Sequence, residues 1–491
     1  MRSRFPVVGE RLNGVNATTC TAILFLLLLG PSRASAQSAP ASADRPWHSA
    51  QEAPMEDAAR DLGERRFEID PTQTYSLTEL IDLAERHNPE TRLAWERARA
   101  QAAALGLARS ELYPTLAAAA LSQTGRSEVL LGSRFFRQTV QDFQVVLELN
   151  YTVCDFGARS GRIDEAKAQV LAANFAFNDT HRRIIFQVAE AYYRLLNALG
   201  QEDAARASLT NAQTVQQAAE DRLAHGLATL PDVLEARSAT AQAEFDLQAV
   251  IGSEEIARGD LATAVGTAAT AEIHVQPLDQ VPTPDAVGDT VEQAIERAFV
   301  HRPDLLRQVA EIKSANARIK EARAAYYPEL TLNVAPAAQS VYGLQQQLPR
   351  AHTADLIGGV SVNLQWTVFD GGARKSKLAQ ARADTHAAEA QANVTGDRIA
   401  DEVWAAYSNL NTAFRQRRAS LALLEAASNS YAAALESYNY GLRNLLDVTA
   451  TQRTLAQARS ADVMARTQVL TALADLAFRT GDSIQQSATQ P

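Results

Sequence analysis

The sequence predicts an α+β membrane protein made of two copies of one half-chain. Three observations carry this: a repeat at an offset of 214 to 215 residues, two pairs of strand runs with period two, and helical stretches too long for a globule. Tyr113-Pro114 recurs as Tyr327-Pro328, and Asp155-Phe156-Gly157-Ala158-Arg159 recurs as Asp370-Gly371-Gly372-Ala373-Arg374. The later offset then holds for Gly226-Leu227 and Gly441-Leu442, for Leu230 with Asp232-Val233 against Leu445 with Asp447-Val448, and for Gly266 against Gly481. Function therefore belongs to something the two copies build together.

Residues 1–36 open with Arg2, Arg4 and Arg11, pass through an apolar run at 22–29 and end on Ala34-Ser35-Ala36. That run is far below the roughly 20 residues of a spanning helix, so the segment is an export signal cleaved after Ala36. Cys20 leaves with it, which argues against lipidation and leaves Cys154 as a lone thiol, expected to be a small buried hydrophobe. No later stretch holds about 18 consecutive apolar residues, so the exported chain is soluble or inserts as strands. The formal charge of −10 grows more negative once a signal with four Arg and one Glu is removed, which makes nucleic acid a poor partner. Residues 37–75 are rich in Ala, Ser, Pro and charge and suggest a linker or surface-draped arm, with one short helix at 55–66.

The first repeat spans 76–281 and the second 282–481, with a tail at 482–491. In each, a short helix (76–87; 290–301) is broken from a longer one by Asn88-Pro89 or Arg302-Pro303, because the residue before proline is pushed out of the helical region. Each longer helix runs into a Tyr-Pro pair and then strands. Phe143, Val145, Leu147, Leu149, Tyr151 and Val153 alternate with polar residues, as do Val360, Val362, Leu364, Trp366 and Val368. Weaker runs follow each Tyr-Pro pair, so strands are expected near 113–123, 143–155, 327–336 and 357–370, joined by polar loops at 124–142 and 337–355. These lengths suit a tilted crossing of an outer membrane. Four strands cannot close a barrel and open edges are not tolerated in lipid, so the chain must oligomerise. Trp366 and Phe135-Phe136 are candidate interface anchors, and Arg159 and Arg374 are expected to face headgroups or solvent.

From 158 to 225 there is no proline and only Gly161 and Gly200, which allows a helix of about 100 Å; 373–440 matches it. Return arms of about 50 Å follow at 231–266 and 445–481. Ile399, Val403, Ala406, Tyr407, Leu410 and Phe414 recur at threes and fours, so the helices pack as coiled-coil-like hairpins with tips at Gly226 and Gly441.

The duplicated half-chain, the break at Asn88-Pro89-Glu90, the Tyr-Pro strand entry, the exit Phe369-Asp370-Gly371-Gly372 and the tip Tyr438, Gly441, Arg443, Asp447-Val448 together resemble the TolC-like outer-membrane efflux proteins over nearly the whole mature chain. The resemblance implies a homotrimer whose protomers each give four strands to a 12-stranded outer-membrane β-barrel, continued by an α-helical periplasmic tube. It also implies a passive exit duct of a tripartite efflux or type I secretion system in a Gram-negative-type envelope, set in outer-membrane lipid and opened by docking of a periplasmic adaptor at Gly226, Leu227, Gly441 and Leu442 and of an inner-membrane pump, resistance-nodulation or ATP-driven, that supplies the energy. Carried over by position, Asp232 from the first tip with Tyr438 and Arg443 from the second would hold the aperture, and Asp447 would be the ring acid facing the duct. Pro231 and Ala450 depart from the family pattern, and the second leaves one acidic ring. Asp232 and Asp447 also sit where helix caps sit, and a capping role stays open for both. Tyr438 and Arg443 have no counterparts in the first tip, where Leu223 and Ala228 stand, which favours a partnership across hairpins.

No enzyme, cofactor or metal centre is expected: the eight His are scattered without ligand spacing, there is one mature thiol, and no Gly-rich phosphate loop follows a buried strand. A periplasmic adaptor or a structural coiled-coil protein is the alternative. The first would carry one hairpin rather than two, and the second would not need paired strands and mirrored Gly tips.

Overall fold

A computed structural model describes residues 44, 52–64, 67–284, 288, 290–345 and 348–482; the expected export signal and nearly all of the tail lie outside these. The chain divides into two units, Met1–Arg66 and Phe67–Pro491. In the first, helix α1 (Glu52–Glu64) corresponds to the helix expected at 55–66. The second runs β1 (Thr74–Tyr75), α2 (Leu77–His87), α3 (Pro89–Ser110), β2 (Thr115–Leu131), β3 (Arg134–Cys154), α4 (Ala158–Ala224), α5 (Leu230–Val265) and β4 (His274–Val275). It then repeats as α6 (Val291–His301), α7 (Pro303–Ala324), β5 (Glu329–Gln345), β6 (Ala351–Gln365), α8 (Ala373–Asn439) and α9 (Leu445–Thr480).

Both short helices start from the same sequence device. Glu79 accepts from the backbone N–H of Ser76 at 2.8 Å, and Gln293 accepts from that of Thr290 at 3.1 Å, each in a capping box. Both end at the residue before proline, Asn88 and Arg302, in extended conformation. Asn88 Nδ2 then donates to Ala264 O at 3.0 Å, tying the elbow to the end of α5. In the second copy Arg302, only 4% exposed, replaces it. Its guanidinium donates to both oxygens of Asp304, at 3.0 and 2.7 Å, and to Glu402 at 2.7 Å, while Arg479 reaches Glu402 at 3.2 Å.

The four long strands form one antiparallel sheet in the order β2-β3-β5-β6. They are longer than expected. The segments 124–142 and 337–355, expected as loops, are mostly strand, and the first hairpin turns at Gly132-Ser133 between the paired Leu131 and Arg134. From 123 to 128 the chain is polar on both faces and at 129–131 and 135–136 it is apolar on both, so the period-two signal disappears while the hydrogen-bonded ladder continues. β6 instead stops at Gln365, short of the expected 370. Cys154 is half-buried rather than buried.

Arg159 and Arg374 do not face solvent or headgroups as expected. Each folds back on the carboxylate four residues earlier: Arg159 Nε to Asp155 at 3.0 Å and Arg374 Nε to Asp370 at 2.7 Å, with the same carboxylates capping the helix starts. This Asp-x-Gly-x-Arg corner turns a strand into a long helix in both copies. Trp366 donates to Tyr326 O at 3.2 Å at the foot of the sheet.

The helices bury three apolar clusters. Leu80, Ile184, Tyr192, Leu196 and Leu261 join α2, α4 and α5; Ile399, Val403 and Leu410 join α8 to α6 and to Leu476 of α9. Full burial of each large aliphatic side chain contributes about 1.5–3 kcal/mol. The end of the expected arm belongs to this core: Ile69 and Tyr75 are buried in the first cluster, and β1 pairs with β4. The third cluster lies at the tips.

Candidate functional site: the paired helical tips

The strands sit at one end of α4 and α8, and the turns to α5 and α9 at the other. Each turn is a Schellman motif. Leu227 N donates to Arg222 O at 2.8 Å and Leu442 N donates to Ser437 O at 2.9 Å, closing over Gly226 (φ +72°) and Gly441 (φ +78°). These positive φ values are why glycine stands there. The residue after the glycine usually packs back on its own helix in this motif. Here Leu227 is 68% exposed and Leu442 79%, so both expected docking positions present an apolar side chain outward.

Beneath the turns Val233, Tyr431, Tyr438, Leu445 and Val448 form the tip cluster with Val215 and Ala219, joining both hairpins. The expected gate residues are distributed unevenly around it. Asp232 is half-buried and closes a capping box: its Oδ2 accepts from Thr229 N at 2.8 Å and Thr229 Oγ at 2.7 Å. Those bonds, backbone first, together with the Arg222 charge hold its carboxyl below the ordinary range. Tyr438 is buried, which pushes its phenol up, and its hydroxyl has no hydrogen-bond partner among the described residues. Arg443 is exposed and makes no hydrogen bond or ion pair among the described residues. Asp447 N is capped by Asn444 Oδ1 at 2.9 Å, and the exposed Asp447 carboxylate accepts no bond among the described residues.

Within the chain, therefore, Asp232, Tyr438 and Arg443 are not joined to one another. Besides the apolar cluster and the bond from Thr449 Oγ1 to Glu235 Oε1 at 3.3 Å, the tips are joined by Arg222, which no sequence motif singles out. Its Nη1 donates to Tyr438 O at 2.7 Å and to Asn439 O at 3.3 Å, and its guanidinium lies 4.7 Å from the Tyr438 ring centre. An arginine in the last turn of one helix thereby caps the carbonyls of another, where the helix dipole favours a cation. A Cβ at Gly441 would lie 3.7 Å from Arg222 Nη2, so the turn and the latch touch. The only signal in the sequence was a basic residue near the turn, which helix ends carry routinely.

The sequence profile of the outer membrane efflux protein family matches residues 80–267 and 294–482, one match for each repeat. The chain belongs to this family. It is an outer-membrane exit duct for efflux that extends into the periplasm. Protein CyaE of Bordetella pertussis is 28% identical to it over 404 residues, 82% of this chain and 83% of that protein. Outer membrane protein OprJ of Pseudomonas aeruginosa is 27% identical over 470 residues, 93% and 94% of the two chains. The crystal structure of a membrane protein from Pseudomonas aeruginosa superposes on this efflux duct with a TM-score of 0.73 at 25% identity, covering 82% of this chain and 93% of that one.

Proposed function

We propose that the duct works as a homotrimer whose three four-stranded sheets close a 12-stranded barrel, and that it is passive, taking its energy from an inner-membrane pump through a periplasmic adaptor docked on the tips. The observation that carries this is the sheet: β2 and β6 are long, their outer edges have no partner strand among the described residues, and every residue of β6 is exposed. An open edge of that length in an outer-membrane protein calls for copies of itself. A crossing needs about 9–11 tilted residues, so strands of 15 to 21 residues reach beyond the hydrocarbon. The outward Leu227 and Leu442 support the adaptor contact. Arg222, Tyr438, Arg443, Asp232 and Asp447 make the aperture in this reading, with Arg443 free to reach a neighbouring protomer.

Light scattering of the detergent-purified chain should give three times the protomer mass, and planar-bilayer recording should show discrete conductance. A folded monomer of native strand content overturns the trimer.

A further inference from the structure

The two faces of the long sheet sort charge by sign. Register fixes the faces: Leu149, Val334 and Val360 share one rung and Val145, Ala338 and Leu356 another, while Asn150, Asn333 and Ser361 lie on the opposite side. Leu356 and Val360 are 89% and 71% exposed, and an exposed apolar face on an outer-membrane barrel is its lipid face. The opposite, polar face carries Asp142, Glu148, Glu329 and Asp355, with Arg134 beside the turn. The lipid face carries Arg126 and Arg137, with Glu128 as its one carboxylate.

These arginines stand at a defined height. From Leu364 to Leu356 β6 rises about 26 Å along the strand, or about 20 Å along the membrane normal at the usual tilt, close to the apolar band of an outer-membrane barrel. Just past that band Tyr342 stacks on His352 with ring centres 4.2 Å apart and meets Phe143 edge-on at 6.2 Å. Aromatic rings at the end of the band mark the headgroup level. Tyr342 is level with Gln141; the next rung on this face holds Thr139 and Arg126, and the one after holds Arg137 and Glu128. This is the hairpin-turn end of the sheet, opposite to the end where α4 and α8 leave for the periplasm, so it belongs to the outer leaflet. Both guanidiniums are available there. Arg126 Nε donates to Thr139 Oγ1 at 3.2 Å, which orients the fork and leaves both Nη groups unbonded among the described residues. Arg137 stands opposite Glu128 without an ion pair among the described residues. At the foot of the sheet, by contrast, Arg159 and Arg374 are engaged by Asp155 and Asp370.

Resting on the closed-barrel reading, which turns this face to lipid, we propose that Arg126 and Arg137 form a binding site for the phosphate of an outer-leaflet lipid headgroup, with the lipid's chains laid on the apolar rungs below. Arginine's planar fork matches phosphate oxygens, and its long stem can lie along apolar surface while the charge reaches the headgroup. Two guanidiniums against one carboxylate leave the site positive. The apolar rungs decide the kind of ligand: a soluble anion gains nothing from Val145 and Leu356, whereas a phosphorylated amphiphile uses both parts of the face.

The test is native mass spectrometry of the full mature protein, released from detergent after equilibration with a bis-phosphorylated acylated disaccharide (lipid A) or with its dephosphorylated form. The parent should carry adducts of the phosphorylated lipid and few of the other, a comparison that needs no variant. Arg126→Gln with Arg137→Gln should weaken phosphorylated-lipid binding about fivefold for each arginine removed, whereas Arg134→Gln, on the opposite face, should bind like the parent. Equal binding of the two lipids by the parent, or a loss confined to Arg134→Gln, overturns the site. Displacement of the adducts by inorganic phosphate makes it a site for free anions and overturns the lipid. The mass of the bare protein reads the copy number in the same spectrum, so the two readings fail separately: a trimeric mass without phosphate-dependent adducts overturns the site alone.

Discussion

Arg222 joins the two tips, which form the aperture in the function proposed above, without the carboxylate partner that arginine's fork invites. Its bonds go to the last carbonyls of α8, groups left unsatisfied at any helix end, and its plane lies against the Tyr438 ring. Each charge-assisted bond contributes about 1.5–3 kcal/mol. Arg222→Gln should therefore loosen the tips, read as larger single-channel conductance in a planar bilayer; unchanged conductance would remove the latch from the gate. Tyr438 makes a sharper contrast. Its hydroxyl has no partner within the chain while its ring is buried. Tyr438→Phe should conduct like the parent, whereas Tyr438→Ala loses about 3–5 kcal/mol of packing and should open the aperture or destabilise the tip. If Tyr438→Phe alone raises conductance, the hydroxyl is bonded across protomers. Tyr438 was legible in the sequence and its contact with Arg222 was not, because which side chain meets a carbonyl 216 positions away depends on how two helical hairpins pack.

At the scale of elements, helices were read nearly to the residue because their ends carry chemistry: Ser76 and Thr290 as caps, Gly226 and Gly441 as stops, proline after Asn88 and Arg302. Strands were read only where one face is apolar. The halves nearer the hairpin turns, where polar and apolar residues do not alternate, are set by cross-strand pairing, which leaves no periodic trace. The elbow ion cluster was likewise hidden, since Arg302, Asp304, Glu402 and Arg479 come from three helices and one elbow. Burial alone would raise Asp304 and Glu402, but the bonds and charge of Arg302 outweigh it and both carboxyls titrate below their ordinary values. Carboxyls depressed in this way stabilise the fold fully above their unfolded values, about 4, and the contribution is lost as pH falls through the lower folded values. The thermal midpoint, followed by far-UV circular dichroism, should be flat from pH 7 to about 5 and fall below about 4. Arg302→Met leaves two half-buried carboxylates short of a partner, costing about 3–5 kcal/mol at neutral pH, and the fall on acidification should shrink. A parent-like pH profile in that variant would mean that Arg479 and Arg398, which lies 3.5 Å from Asp304 and 3.6 Å from Glu402, carry the cluster.

For the whole molecule, duplication was the most legible feature, and it limits what the two tips can do differently. Asp232 and Asp447 are repeat counterparts at the same place in their helices, yet their carboxylates have different occupations. Asp232 is engaged by Thr229, while Asn444 provides the cap in the second copy and leaves the Asp447 carboxylate unbonded among the described residues. In the trimer proposed above, three such carboxylates at the tips would form one acidic ring, and Ala450 supplies no second. Charge rings of this kind select cations and bind multivalent ones in passage. The parent channel should therefore favour cations and be blocked by multivalent cations added on the periplasmic side, and Asp447→Ala should abolish both. Asp232→Ala should instead cost about 0.5–2 kcal/mol of cap stability and leave ion selectivity in place. Reversal potentials in asymmetric salt distinguish the two variants, at ionic strength near 0.1 M, where fields reach only about 10 Å and the ring, not the net charge of the chain, sets the reading. Selectivity lost in Asp232→Ala and kept in Asp447→Ala would exchange their roles and place the first tip, not the second, at the mouth of the duct.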